Sequence, residues 1–154
     1  GDDGKLEVVR DYGADHVINY QKGEFRNEVK EITGGKGVNL VYDPVGGDVF
    51  DQSLRCMAWH GRLVSLVFTS GRIPELPLNY ALIKGLTMLG CRAGEARRND
   101  PDAGDRELAE ILALANAGKL HPYVSHTLPF ERAVEGMHLL MDRKEIGKLV
   151  FTMN

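Results

Sequence analysis

Residues 16–42 read HVINYQKGEFRNEVKEITGGKGVNLVY, and the order of patterns within them decides the fold. His16-Val17-Ile18-Asn19-Tyr20 is apolar and β-branched at its centre and is closed by Gln21, Lys22 and Gly23, as a short strand is. Phe25, Val29 and Ile32 then recur at helical spacing until the Gly34-Gly35-Lys36-Gly37 turn, after which Val38-Asn39-Leu40-Val41-Tyr42 is apolar again. Strand, helix and strand in about thirty residues make a βαβ unit, with parallel strands and a right-handed crossover.

Upstream, Leu6, Val9 and Tyr12 share one helical face over Lys5–Tyr12, and Gly13 stops that helix. Downstream the unit repeats. Asp43-Pro44-Val45-Gly46-Gly47 makes a loop, Val49–Ala58 a helix, His60-Gly61 a stop and Arg62–Phe68 a strongly apolar strand, as a buried parallel sheet requires. A longer loop carries Pro74 and Pro77, Tyr80–Lys84 gives a helical turn or two, and Leu86–Cys91 a further strand. Gly94–Gly104 is rich in arginines and acids, holds Pro101 and has little to bury, which predicts an exposed loop. Leu108, Ile111, Leu112 and Ala115 mark a helix over Asp105–Ala117, stopped by Gly118. Pro122–Pro129 reads as extended, Phe130–Asp142 as a helix with Ala133, Met137, Leu140 and Met141 inward, and Leu149-Val150-Phe151 as a closing strand. No linker is visible, so a single α/β domain with a doubly wound parallel sheet is expected over residues 1–154.

The composition agrees with a folded domain: 154 residues, 43% apolar and 27% charged, suit one hydrophobic core and exclude a disordered tail. Nineteen cations against twenty-two acids give a net charge of −3, with both signs interleaved, so no nucleic-acid partner is expected. No apolar run is long enough to span a membrane, and charges run through the first thirty residues; no membrane partner and a cytoplasmic location are expected. Cys56 and Cys91 lie far apart, and both are expected as buried thiols. His16, His60, His121, His126 and His138 form no i, i+4 pair and do not neighbour the cysteines, so no metal site is expected.

In a doubly wound sheet ligands sit outside the carboxyl ends of the strands, which directs attention to the loops after Tyr20, Tyr42, Phe68 and Cys91. The Asp43–Gly47 loop either lets a backbone approach a dinucleotide or simply makes a tight turn. Asp43 is the carboxylate to watch, although capping its own turn is the commoner task of such an aspartate. Gly34-Gly35-Lys36-Gly37 has the composition of a phosphate loop but follows a helix and precedes a strand. That is the reverse of the order that puts phosphate on a helix N-terminus, so it reads as a turn. No Gly-x-Ser-x-Gly, no paired acids and no nucleophile beside a base appear, and catalytic residues are not assigned.

Gly13–Tyr20 (GADHVINY), Gly37–Gly47, with VYDPVGG at its end, Gly61–Gly94 and Ile146–Val150 together resemble the medium-chain dehydrogenase/reductase superfamily, and within it the zinc-independent quinone oxidoreductases. The resemblance covers nearly the whole chain. It implies a Rossmann-like domain, incomplete because the family's first two strands, its pyrophosphate-binding glycine turn and its substrate domain would precede residue 1. It further implies NADPH as cofactor. Lys5 and Tyr20 match positions around the adenosine 2′-phosphate, and Val45, Phe68, Ser70, Gly71, Arg92 and Gly94 match positions on the nicotinamide side. The pattern is departed from at Val67, where a glycine is frequent, and at Ala93 and Ala96, where aromatics are.

Two readings follow from the resemblance. One is the cofactor-domain fragment of an NAD(P)H-dependent quinone oxidoreductase, inactive alone and open to a complementing N-terminal half. The other is a non-catalytic homodimeric interaction module. Under both, a homodimer through the edge strand Leu86–Cys91 is expected, since that strand is apolar and holds no proline or lysine to blunt its edge. With the first two strands absent, His16–Tyr20 is expected to pair directly with Val38–Tyr42.

Overall fold

The structure, a computed structural model, describes residues 2–153; the side chains of Ala93 and Ala96 lie outside the description, and with them the departures at those positions. The chain divides into two compact units, residues 1–96 and 97–154. The first contains α1 (Asp3–Asp11), α2 (Phe25–Ile32), β1 (Val38–Asp43), α3 (Gly47–Cys56), β2 (Met57–Ser65), α4 (Leu78–Lys84) and β3 (Thr87–Gly90). α5 (Ala93–Asn99) lies at the boundary in sequence. The second unit holds α6 (Pro101–Asn116), β4 (Val124–Pro129), a 3-10 turn over Phe130–Arg132, α7 (Ala133–Met141) and β5 (Lys148–Thr152).

The first unit is built on a three-stranded parallel sheet in the order β1-β2-β3, with Val41 opposite Leu63 and Leu63 opposite Met88. Its core is Phe50, Leu54, Met57 and Leu63, bordered by Val41, Leu76, Tyr80, Leu86 and Met88. α3 supplies Phe50 and Leu54 four residues apart, the spacing that puts two side chains on one helical face. The second unit pairs β4 with β5 in parallel, buries Leu128, and seats Gly136 of α7 against the Phe151 ring, which meets Phe130 edge-on. The α/β class and the parallel strands agree with the sequence reading. Among the described residues no helix is long and apolar enough to cross a membrane.

Several expectations are corrected. His16–Tyr20 is not a strand and does not close onto β1, which remains at the edge of its sheet. The segment bonds instead to α1: Asn19 Nδ2 donates to Asp3 Oδ1 at 2.8 Å, and Lys22 Nζ pairs with Asp3 Oδ2 at 2.7 Å. Val17, Ile18 and Asn19 are half-buried, so the apolar pattern is met by side-chain burial rather than by a backbone ladder. Gly94–Gly104 is helical rather than a loop. Asp100 caps α6, accepting from the Ala103 N–H at 2.9 Å with Pro101 in the first turn, and buried Gly104 passes under the Arg97 side chain.

β2 begins at Met57 and ends at Ser65, short of Phe68. The expected stop at His60-Gly61 persists as an irregularity inside the strand: His60 has φ 58°, and the register jumps from Val38–Met57 to Leu40–Arg62. Cys56 is buried as expected, whereas Cys91, beyond the end of β3, is exposed. On α7 the inward position is Gly136; Met137, Leu140 and Met141 are exposed and Ala133 is half-buried. The Leu108, Ile111 and Leu112 face of α6 is likewise uncovered in this structure.

Candidate functional site

The carboxyl ends of β1 and β2 are locked together. The Asp43 side chain is buried, and its Oδ1 accepts from the Val45 and Gly46 N–H groups at 2.8 and 3.0 Å, so it does cap its own turn. Its Oδ2 is buried without a hydrogen-bond partner among the described residues. The loop after β2 lies on this turn: Leu66 N–H donates to Asp43 O at 3.0 Å and Ser70 N–H to Val45 O at 3.0 Å, while Thr69 Oγ1 donates to Pro44 O at 3.0 Å.

Gly46 and Gly47 are needed under that loop. Both have left-handed φ, 70° and 54°; a Cβ would stand 2.9 Å from Phe68 Cδ1 at Gly46 and 2.6 Å from Ser70 Oγ at Gly47. Arg72 fastens the far end of the loop, its Nη2 donating to Asp48 Oδ1 at 3.0 Å and Asp51 Oδ2 at 2.6 Å. Those two carboxylates hold the guanidinium pKa above its ordinary value, through hydrogen bonds first and charge second. The sequence signal for this clamp was the i, i+3 spacing of Asp48 and Asp51 on one helix, which sequence reasoning missed.

Beside the Asp43 turn opens a cleft of about 290 Å³, bordered by Ile18, Tyr20, Phe25, Tyr42, Val45 and Val49. Of the expected site residues, Tyr20 and Val45 thus meet in one cavity. Lys5 lies in the first turn of α1, where its N–H donates to Asp2 Oδ1 at 2.9 Å, and it does not border the cleft. Phe68, Ser70 and Gly71 sit on the loop above Gly46 and Gly47. Arg92 and Gly94 follow β3, where Arg92 pairs with Glu95 at 3.3 Å and is not gathered into the cleft. Ile18, Phe25, Tyr42 and Val49 were missed because their apolar pattern reads equally well as core.

A family model described as zinc-binding dehydrogenase matches residues 12–151. The chain belongs to this family. Its match is the cofactor-domain part of the medium-chain dehydrogenase/reductase superfamily. The chain is 35% identical over 147 residues to a quinone oxidoreductase-like protein 2 homolog of Nematostella vectensis, covering 95% of the chain and 40% of that protein. To quinone oxidoreductase-like protein 2 of Rattus norvegicus it is 33% identical over 153 residues, covering 99% of the chain and 44% of the relative. A mycobacterial structure solved in complex with NADPH superposes with a TM-score of 0.83 at 27% identity, covering 98% of the chain and 47% of the other. The chain therefore spans less than half the length of the proteins it resembles. Zinc does not fit the family-matched stretch: among the described residues no three His, Cys, Asp or Glu side chains converge into a donor set.

Proposed function

We propose that the chain is the cofactor-domain portion of an NAD(P)H-dependent quinone oxidoreductase-like enzyme and is inactive in hydride transfer by itself. The observation that carries this reading is the joined pair of loops after β1 and β2, closed over Gly46-Gly47 beside an apolar cleft. The crevice outside the carboxyl ends of parallel strands is where doubly wound sheets take dinucleotides. In this reading Lys5 and Tyr20 border the adenosine 2′-phosphate. Val45, Phe68, Ser70, Gly71, Arg92 and Gly94 border the nicotinamide side. The bound cofactor supplies the hydride; these residues supply binding, orientation and exclusion of water.

Isothermal titration of the chain with NADPH, and separately with NADP⁺, tests the assignment. Affinity of micromolar order, about −8 kcal/mol, weakened in Tyr20→Ala, is expected, with no NADPH consumption when a quinone is added. Absence of heat at millimolar cofactor overturns the cofactor site, and quinone turnover by the chain alone overturns its inactivity.

The alternative of an assembly module rests on the sheet edges. Among the described residues β3 pairs on one side only, with β2, and β1 likewise pairs only with β2. On this proposal two chains join through β3 into a homodimer, and β1 is free to accept strands from a complementing N-terminal half. Sedimentation should find a dimer in the parent chain and a monomer in Met88→Pro, with the fold checked by circular dichroism. A dimer that persists in folded Met88→Pro refutes pairing through β3.

A further inference from the structure

The Gly34-Gly35-Lys36-Gly37 turn, read above as a plain turn, borders a cavity of about 670 Å³. It lies at the opposite end of the sheet from the candidate cofactor crevice: Gly37 leads into β1 and Met57 opens β2 there, whereas the crevice follows Asp43 and Ser65. Six residues of β1 separate the two ends, about 20 Å at the usual rise of a strand.

Five cationic side chains line this cavity, Arg26, Lys30, Lys36, Arg55 and Lys84, and no carboxylate does. The chain as a whole carries a net charge of −3, so the local sign runs against the global one. The bland explanation is helix capping, since α2, α3 and α4 all end here. It accounts for Lys84, whose Nζ donates to the carbonyl oxygens of Leu54, Arg55 and Met57 at 3.0, 3.2 and 3.0 Å and so closes the end of α3.

It does not account for the others. Arg26 stands in the first turn of α2, where the macrodipole disfavours a cation; it is half-buried, and its Nε pairs with Glu24 at 2.9 Å. Lys30, Lys36 and Arg55 make no ion pair or side-chain hydrogen bond among the described residues. Three helix ends of about −0.5 each, together with the Glu24 carboxylate, offset only half of the five charges. The crowding is felt at Lys84, whose pKa is lowered by burial first and by the Lys30 charge second.

We propose that this cavity is a binding site for a small phosphate-bearing anion, held by Arg26, Lys30, Lys36 and Arg55 at the amino-terminal end of the sheet. The volume exceeds one phosphate group and suits a di- or triphosphate. Guanidinium groups at two positions allow bidentate contact with phosphate oxygens, and the ammonium groups add point charges. The site is independent of the cofactor reading and stands or falls separately from it.

Titration calorimetry of the chain with inorganic tripolyphosphate, at low and at physiological salt, tests the proposal. Saturable binding is expected, weakening as salt rises. In the double variant Lys36→Gln/Arg55→Gln the affinity should fall by roughly tenfold or more. The charge-matched pair Arg106→Gln/Lys119→Gln, in the other unit, should leave it unchanged. Lys84 is left intact because it caps α3, and circular dichroism verifies that each variant is folded. No saturable binding to the parent chain, or an equal loss in both double variants, overturns the site. NADPH titrated into a tripolyphosphate-saturated chain should bind as before; competition between the two would place the anion in the crevice instead.

Discussion

Leu63→Ala is expected to destabilise the first unit by about 3 kcal/mol and to lower its melting temperature by more than about 10 °C. Leu63 is fully buried, 0% exposed, in the middle of the central strand, between Val41 on β1 and Met88 on β3. Four buried side chains, Phe50, Leu54, Met57 and Leu63, make the core cluster. Truncation there removes transfer free energy and leaves a cavity that a sheet residue, fixed by ladders on both sides, cannot close by moving. Against a total stability of roughly 5–15 kcal/mol for a domain, such a loss brings the unit close to unfolding. Leu82, at 82% exposed, is the internal control: its replacement by alanine should change stability by no more than about 0.5 kcal/mol. Chemical denaturation of the two variants checks the pair, and equal effects would mean that the core is elsewhere.

Leu63 was legible in the sequence because a continuous apolar run between turn signals has few other uses than a buried parallel strand. The same logic located β1, β3 and β5 to within a few residues, whereas Pro122–Pro129, which holds β4, was read only as extended. It failed at His16–Tyr20, whose pattern is as β-like as that of Val38–Tyr42. Pattern reports which side chains seek burial, whereas a strand also requires a backbone ladder; here Ile18 and Tyr20 border the cleft beside β1 without pairing with it, and the segment bonds to Asp3 of α1 through Asn19 and Lys22. It failed again at Gly94–Gly104, where charge masked a helix whose start is set by Asp100 and Pro101.

Of the candidate site, the loop of Asp43 to Gly47 was legible because glycines after an apolar strand have few structural roles. Its partner loop was named as well, through Phe68, Ser70 and Gly71, but its bonds from Leu66, Thr69 and Ser70 to the Asp43–Val45 backbone were not, since they depend on the tertiary approach of two strand ends. The cation cavity was hidden for a related reason. Arg26, Lys30, Lys36, Arg55 and Lys84 are spread over nearly sixty positions of a chain with interleaved charge, and only the packing of α2, α3 and α4 at one end of the parallel β1-β2-β3 sheet gathers them.

The turn at that cavity allows one further experiment, in which neighbouring glycines with similar backbones should behave differently. Gly34, Gly35 and Gly37 have φ of 58°, 81° and 81°, so alanine at any of them meets the left-handed penalty, about 1 kcal/mol. At Gly34 and Gly35 nothing lies within 4 Å of the added Cβ, and that penalty is the whole expected cost. At Gly37 the Cβ would overlap the Cys56 carbonyl oxygen and stand 2.8 Å from Met57 C and 2.9 Å from Ala58 N, all backbone atoms of the α3–β2 junction. Relief requires β1 to move away from β2 at the Val38–Met57 pairing, so Gly37→Ala should cost about 2–4 kcal/mol in total. Denaturation midpoints decide it: equal losses for Gly35→Ala and Gly37→Ala would show that the two strands do not approach so closely at this end. The close approach matters beyond stability, because it brings Arg55 of α3 within reach of the cavity that Lys30 and Lys36 border. Tripolyphosphate affinity should therefore fall in folded Gly37→Ala and persist in Gly34→Ala, which separates the geometry of the turn from its charge.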